Sequence, residues 1–277
     1  CVPPRKEEMR RAAQDLIHAV CNAGVHLCMG QTRTAEQLKD AGFEAVINAV
    51  GAHSAAPRIP GIDSVNVADA WKVLAGEQQV YGTVAVIGGG MVGCETAEYL
   101  AARSCKVSVI EMMDKIAAGE STTILPTLLE NYKTYGVEQY PSHKVKEFRM
   151  DAVVCENKDG AEVTIPCDYI VLAMGARSNE FDAAALEAAG IPVYAIGDAA
   201  GKAADISNAI RTGYDTACQL ENGLICATPC ADPARAVPLD TQRKRDRPSG
   251  RGGLSLFVIA GALLCADAGR RPLLQVR

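Results

Sequence analysis

The 277-residue chain predicts an α/β fold built on parallel strands, and three observations carry that prediction. Short apolar, β-branched runs alternate with segments of helical periodicity, the pattern of α/β folds rather than of bundles or sandwiches. Residues 84 to 111, VAVIGGGMVGCETAEYLAARSCKVSVIE, read as strand, glycine turn, helix and second strand, and such a crossover makes its two strands parallel. Two other apolar runs, EAVINAVGA at 44 to 52 and YIVLAMGA at 169 to 176, each close on glycine and alanine.

Taken in order, residues 5 to 23 place Met9, Ala12, Ala13, Leu16, Ile17 and Val20 on one stripe. That is an amphipathic helix, introduced by Pro3 and Pro4. Residues 44 to 52 then form a buried strand. In the crossover unit, 84 to 87 and 106 to 110 are the strands, and Val92, Thr96, Ala97, Leu100 and Ala101 fall at helical spacing between them. AVVCENKDGAEVTIP at 152 to 166 carries Asp159-Gly160 between two alternating runs, a hairpin signal. VYAIGDAA at 193 to 200 is a further strand ending in Gly-Asp, followed by a helix with Ile206, Ala209, Ile210, Gly213, Ala217 and Leu220 on one side.

The last 50 residues differ. Residues 228 to 277 hold 9 Lys and Arg against 4 Asp and no Glu, so a basic stretch follows an acidic body. Without periodicity, and with RKRDRPSGRGG at 243 to 253, it reads as an irregular or disordered basic tail.

A net charge of -5 and the absence of a basic patch interleaved with aromatics argue against a nucleic-acid partner. The apolar run LSLFVIAGALLC at 254 to 265 is too short to span a bilayer, which takes about 20 residues. Eleven cysteines stand without a CxxC pair beside only four histidines, so neither a metal site nor a disulfide framework is expected. Thiols used as small buried hydrophobes fit a reducing, cytoplasmic setting. The chain starts at Cys1 with no signal peptide, which reads as a processed or cut N-terminus.

Gly88, Gly90 and Gly93 form GxGxxG, with Gly89, Met91 and Val92 completing the loop. The first glycine permits a tight turn, the second lets backbone amides approach a pyrophosphate, and the third lets helix and strand pack closely. The helix start adds N–H groups and a positive dipole end for the phosphates. Glu111 ends the second strand 18 residues beyond Gly93, where a carboxylate holds a ribose 2'-hydroxyl and repels a 2'-phosphate. Met112, Met113 and Asp114 bring no guanidinium, so NAD is preferred over NADP. The alternative for Glu111 is a solvated acid at a strand end. Glu95 either complements the helix dipole or contacts the nicotinamide region. Cys94 has no partner thiol in the motif and reads as packing.

The order of motifs now points further. A strand ending AVGAHSAAPRIPGID at 49 to 63, the dinucleotide unit, LAMGARSN at 172 to 179 and AIGDAA at 195 to 200 together resemble the two-dinucleotide-binding flavoproteins. In that group an NAD domain is inserted in a FAD domain. PPRKEEMRRAAQDLIHAV at 3 to 20 resembles the reductase portion of the 2,4-dienoyl-CoA reductase and enoate reductase group, relatives of old yellow enzyme. The resemblance implies a Rossmann-type NAD-binding domain at 81–176, inside an incomplete FAD-binding α/β domain made of 1–80 and 177–227. It implies that Ala49 and Gly51 lie against FAD, that Gly197 and Asp198 hold the ribityl chain, and that Gly175 borders the NAD site. The other readings are that Asp198 caps the following helix and that Gly51 is a turn glycine.

The resemblance also implies an N-terminal truncation. The first strand-GxGxxG unit of the FAD domain, and the barrel that carries FMN and a 4Fe-4S cluster, find no match in the chain. In the intact enzyme hydride passes from NADH to FAD and onward to an activated alkene, with the protein supplying orientation, so no catalytic residue is assigned. The expected partner is a small-molecule substrate, a homo-oligomer is left open, and neither nucleic acid nor membrane is expected. Two rival readings stand: a module that binds NAD(H) without catalysis, and an inactive truncation product.

Overall fold

The computed structural model describes residues 6–23, 25–223, 256–260 and 273–276. In chain order the elements are α1 (Glu7–Asn22), β1 (His26–Cys28), α2 (Ala35–Asp40), β2 (Ala45–Ala49), β3 (Ala52–Ser54), β4 (Val67–Asp69) and α3 (Ala70–Ala75). There follow β5 (Thr83–Ile87), α4 (Met91–Ala101), β6 (Lys106–Ile110), α5 (Leu125–Tyr135), β7 (Glu138–Tyr140), β8 (Lys144–Phe148), β9 (Ala152–Glu156) and β10 (Glu162–Pro166). The chain continues with β11 (Tyr169–Leu172), β12 (Ala176–Ser178), α6 (Ala184–Ala188), β13 (Val193–Ala195), a 3-10 turn (Gly197–Ala200), α7 (Ile206–Gly223), β14 (Leu256–Ala260) and β15 (Leu273–Val276). It divides into two compact units, Cys1–Asp15 with His53–Arg177, and Leu16–Ala52 with Ser178–Arg277. The α/β class expected from the alternation is what the chain adopts.

The first unit is organised by a five-stranded sheet in the order β4-β11-β5-β6-β7, with every pairing parallel. Strand side chains alternate between faces, and here both faces are covered, which is why β5 reads as the unbroken apolar run VAVI. Val84 and Val86 join Val107, Val109 and the helix residues Ala97, Leu100, Leu128 and Tyr132 in one cluster. Ala85 and Ile87 pack on the other side with Ile110, Ile170, Phe148, Val153 and Cys155. Those last three come from the antiparallel meander of β8, β9 and β10. The Asp159-Gly160 hairpin is as expected: Gly160 takes φ +78°, and the Asn157 side chain accepts from the Asp159 and Ala161 amides.

Residues 53–80 belong to the first unit. The cause is pairing at long sequence range: β4 lies parallel to β11, and the buried Asn66 side chain donates to the Arg149 and Met150 carbonyls at 3.1 and 3.2 Å.

In the second unit β2 lies between two parallel neighbours, β13 and β14, and β15 runs antiparallel to both β14 and β1. Leu38, Phe43, Val46, Val50 and Leu186 form its described core. β3 and β12 pair in a two-stranded ribbon. Where 228–277 is described, it departs from the irregular tail expected of it, since 256–260 and 273–276 are strands. The reason is local. LFVIA is a continuous apolar run, and such runs suit a strand with neighbours on both edges, whatever the charge beside them. The rest of 228–277 lies outside the described residues. The face of α7 is also rotated from the expected stripe: Thr216 is buried, while Ile206 and Ile210 are 60% and 57% exposed.

Candidate functional site

The glycine turn sits where β5 hands over to α4, at the carboxyl edge of the parallel sheet, the edge where α/β sheets bind ligands. Each motif glycine can be tested by asking what a side chain there would meet. Gly88 has φ +102°, and a Cβ would lie 2.4 Å from the Ala173 carbonyl oxygen. At Gly93 a Cβ would lie 1.8 Å from the Gly88 carbonyl oxygen. Gly89 meets Glu111 and Ile116 at 2.9 Å, whereas at Gly90 nothing lies within 4 Å. Three glycines are therefore required by the protein's own packing, and the fourth faces open space of the kind a pyrophosphate fills. The residues fit a dinucleotide at this turn.

The start of α4 is electrostatically suited to an anion. Its N-cap is Gly90, which provides no side-chain acceptor for the first helical amides. Met91 and Val92, 44% and 39% exposed, leave the first turn uncovered. Cys94 is fully buried, its thiol donates to the Gly89 carbonyl at 3.2 Å, and desolvation pushes its pKa up. Packing is thus the role the geometry gives this thiol. Tyr132 donates to the Cys94 carbonyl at 2.8 Å, anchoring α4 on α5.

Glu111 is brought to the turn, but not as a free solvated acid. Its Oε2 accepts from the Gly89 amide at 2.6 Å and its Oε1 from the Met113 amide at 2.7 Å. The carboxylate thus clamps the glycine loop while keeping lone pairs for a hydroxyl ligand. Gly175, at φ +90°, follows β11 on the same edge of the sheet, and its carbonyl accepts from the Ala55 amide. Beyond Glu111 an open cavity of about 460 Å³ is lined by Met112, Met113, Asp114, Ser142, Lys144 and Lys158, among others. The lysines come from the meander, and no spacing near the motif announces them. Glu95 carries an ion pair with Lys6 that sequence reasoning also missed, since the partners are 89 residues apart.

In the second unit a parallel register gathers the other four expected residues. Tyr194 pairs with Ile47 and Ala195 with Asn48, and the Ile196 amide donates to the Asn48 carbonyl. This sets Gly197 and Asp198 beside Ala49 and Gly51 at the ends of β13 and β2. Gly51 takes φ +74° with nothing within 4 Å of a Cβ. The Gly197 amide donates to the Thr212 hydroxyl at 2.8 Å. Asp198 Oδ1 accepts from the Ala204 amide at 2.9 Å, in the segment before α7, while the cap of α7 is made by Asp205, whose Oδ1 accepts from the Asn208 amide at 2.7 Å. Asn179 fixes the opposite wall, donating through its side chain to the Val50 carbonyl and through its amide to the Gly51 carbonyl.

Among the described residues no cluster of His, Cys, Asp and Glu could hold a metal ion, and no helix is long and apolar enough to cross a membrane. Cys94, Cys105, Cys155 and Cys167 are buried and free.

Comparison with known proteins agrees with this geometry. The chain is 46% identical over 213 residues to a bilirubin reductase of Mediterraneibacter gnavus, covering 77% of this chain and 33% of that protein. It is 34% identical over 225 residues to an NADH oxidase of Thermoanaerobacter brockii, covering 78% and 34%. A solved 2-naphthoyl-CoA reductase superposes with a TM-score of 0.59 at 28% identity, over 66% of this chain and 28% of that one. The chain spans about a third of the length of the curated relatives it matches. Residues 7–213 match the pattern of one family of two-nucleotide redox proteins from end to end of the parallel sheet and beyond. The chain belongs to the pyridine nucleotide-disulphide oxidoreductase family.

Proposed function

We propose that the chain is the reductase portion of a larger FAD-dependent NADH oxidoreductase, with NAD(H) held in the first unit and FAD in the second. The observation that carries the first half is the contrast within the glycine turn: 88, 89 and 93 are crowded by the protein itself, while 90 is open. When bound, the dinucleotide supplies a hydride and the flavin accepts it. The chain's own part is to bind and orient. The α4 amides meet the pyrophosphate, Glu111 accepts a ribose hydroxyl while clamping Gly89, and Glu95 and Gly175 border the nicotinamide half. NAD is preferred over NADP because the carboxylate of Glu111 stands where a 2'-phosphate would go. For the flavin, Ala49 and Gly51 form one wall and Gly197 and Asp198 another, with Asp198 as the acceptor for a ribityl hydroxyl.

The acceptor beyond the flavin is proposed to be an activated alkene in a small organic molecule. The relatives support this through their names, which give bilirubin and 2-naphthoyl-CoA as compounds that those proteins reduce. A purified full-length relative containing this portion should be yellow and should bleach on anaerobic addition of NADH. The chain itself should bind NADH with enhanced nicotinamide fluorescence. Well-folded chain that gives no response to NADH would remove the basis of the reading.

A further inference from the structure

The sheet of the second unit is not laid down in chain order. Its neighbours run β1, β15, β14, β2 and β13. After β2, the next strand that the chain adds to this sheet is β13, on one side of β2; β14 comes later on the other side, and β15 lies beyond β14. The chain therefore leaves the carboxyl ends of β2 and β14 in opposite directions. In open α/β sheets such a divergence leaves a crevice outside the strand ends, and ligands bind in it.

The registers set these ends level. β14 runs parallel to β2, with Leu256 to Ala260 paired in turn with Ala45 to Ala49. Asn48 pairs with Ala195 on one edge and with Ile259 on the other, so 195, 48 and 259 stand in one row. Just past that row Ala260 lies beside Ala49, and strands so paired run about 4.8 Å apart. β14 is also the longer of the two partners of β2, matching five of its residues where β13 matches three.

We propose that the flavin crevice of the second unit lies between β2 and β14, with the main chain of Ala260 as a wall beside Ala49. This rests on the reading of Ala49, Gly51, Gly197 and Asp198 as the FAD site. The segment whose composition reads as a tail thus supplies a strand of that site, and its pairing holds the end of β2 from which the Gly51 turn departs.

The full chain is titrated with FAD, read by quenching of flavin fluorescence, and with NADH, read by nicotinamide fluorescence. Hydrogen exchange with and without FAD then maps the crevice: bound FAD should slow exchange at 49–51 and at 256–260. Val258→Pro removes an N–H from the middle of β14, which a strand paired on both edges does not tolerate, and Val258→Ile keeps it. Val258→Pro should speed exchange at 45–49 and weaken FAD about tenfold or more, with NADH binding unchanged; Val258→Ile should match the parent. Slowing at 49–51 with none at 256–260 overturns the proposal, because the crevice is then on the β13 side. So does a Val258→Pro chain with fast exchange at 45–49 and parental FAD affinity. The exchange map of the parent decides the matter even where the proline variant fails to fold. If the folded parent binds no FAD, the FAD reading fails and the proposal with it; if it binds FAD without slowing 256–260, the proposal fails alone.

Discussion

Gly93 packs against Gly88 so closely that a Cβ at 93 would stand 1.8 Å from the Gly88 carbonyl oxygen, with the Gly88 carbonyl carbon 2.9 Å away. Backbone cannot swing aside as a flexible side chain does. Gly93→Ala should therefore destabilise the first unit by about 3 kcal/mol, read as a drop in the urea midpoint. Gly90→Ala is the counterpart. Gly90 has φ -73° and open space around it, so alanine should leave the urea midpoint within about 0.5 kcal/mol of the parent. Its methyl would enter the volume given to the pyrophosphate and weaken NADH binding about tenfold or more. A Gly90→Ala chain that binds NADH normally would place the phosphates elsewhere.

Glu111 has two tasks that one substitution confuses. Glu111→Ala removes the acceptor for the Gly89 and Met113 amides as well as the partner of a ribose hydroxyl. It should cost about 1–3 kcal/mol of stability and weaken NADH binding together. Unchanged stability with lost binding would show that the clamp contributes nothing to the loop.

Asn66 ties the 53–80 segment to the meander of the first unit. Its buried side chain bonds to two carbonyls more than 80 residues away, so Asn66→Ala should cost about 1–3 kcal/mol and leave the Arg149 and Met150 carbonyls short of a donor. Limited proteolysis provides the companion test. Cleavage should be slow between 53 and 80 in the parent and faster in Asn66→Ala.

Cys155 and Cys167 give the first unit an alkaline signature. Desolvation pushes both thiols up to about 11 from an ordinary 9, with the neighbouring Cys167 adding to the shift at Cys155. The folded state thus holds protons that the unfolded state releases above pH 9. The stability these thiols contribute is complete below pH 9 and falls as pH rises toward 11. Urea midpoints from pH 8 to 11 should decline, and substitution of both by alanine should flatten that part of the decline. At pH 8 the exposed Cys21 should react with a thiol reagent ahead of Cys94, Cys105, Cys155 and Cys167.

The glycine turn and Glu111 were legible in the sequence because their chemistry is local. A turn that must be tight, a helix start and an acid at the next strand end fall within 24 residues. The clamp itself was not legible: that Glu111 spends both oxygens on amides depends on how β6 bends at Met112. Strand β4 was missed for a different reason. It is three residues long and gains its place only by pairing with β11, a hundred residues later. Helix α5 shows little apolar periodicity because it buries only Leu128 and Tyr132 among its side chains. Residues 256–260 were hidden by composition, since the arginines before them drew the whole stretch toward a solvated reading. Lys6 and Glu95 meet only in the fold, where no spacing rule reaches.

The place of β14 between β2 and β15 has a consequence for biosynthesis. Residues 53 to 177 supply every strand of the first unit's parallel sheet, so that sheet is free to assemble while the ribosome is still adding residues. The other sheet has to wait. Its middle strand emerges about 200 residues after the neighbour it joins, and until then β2 presents a bare hydrogen-bonding edge to whatever nascent chain or chaperone is near.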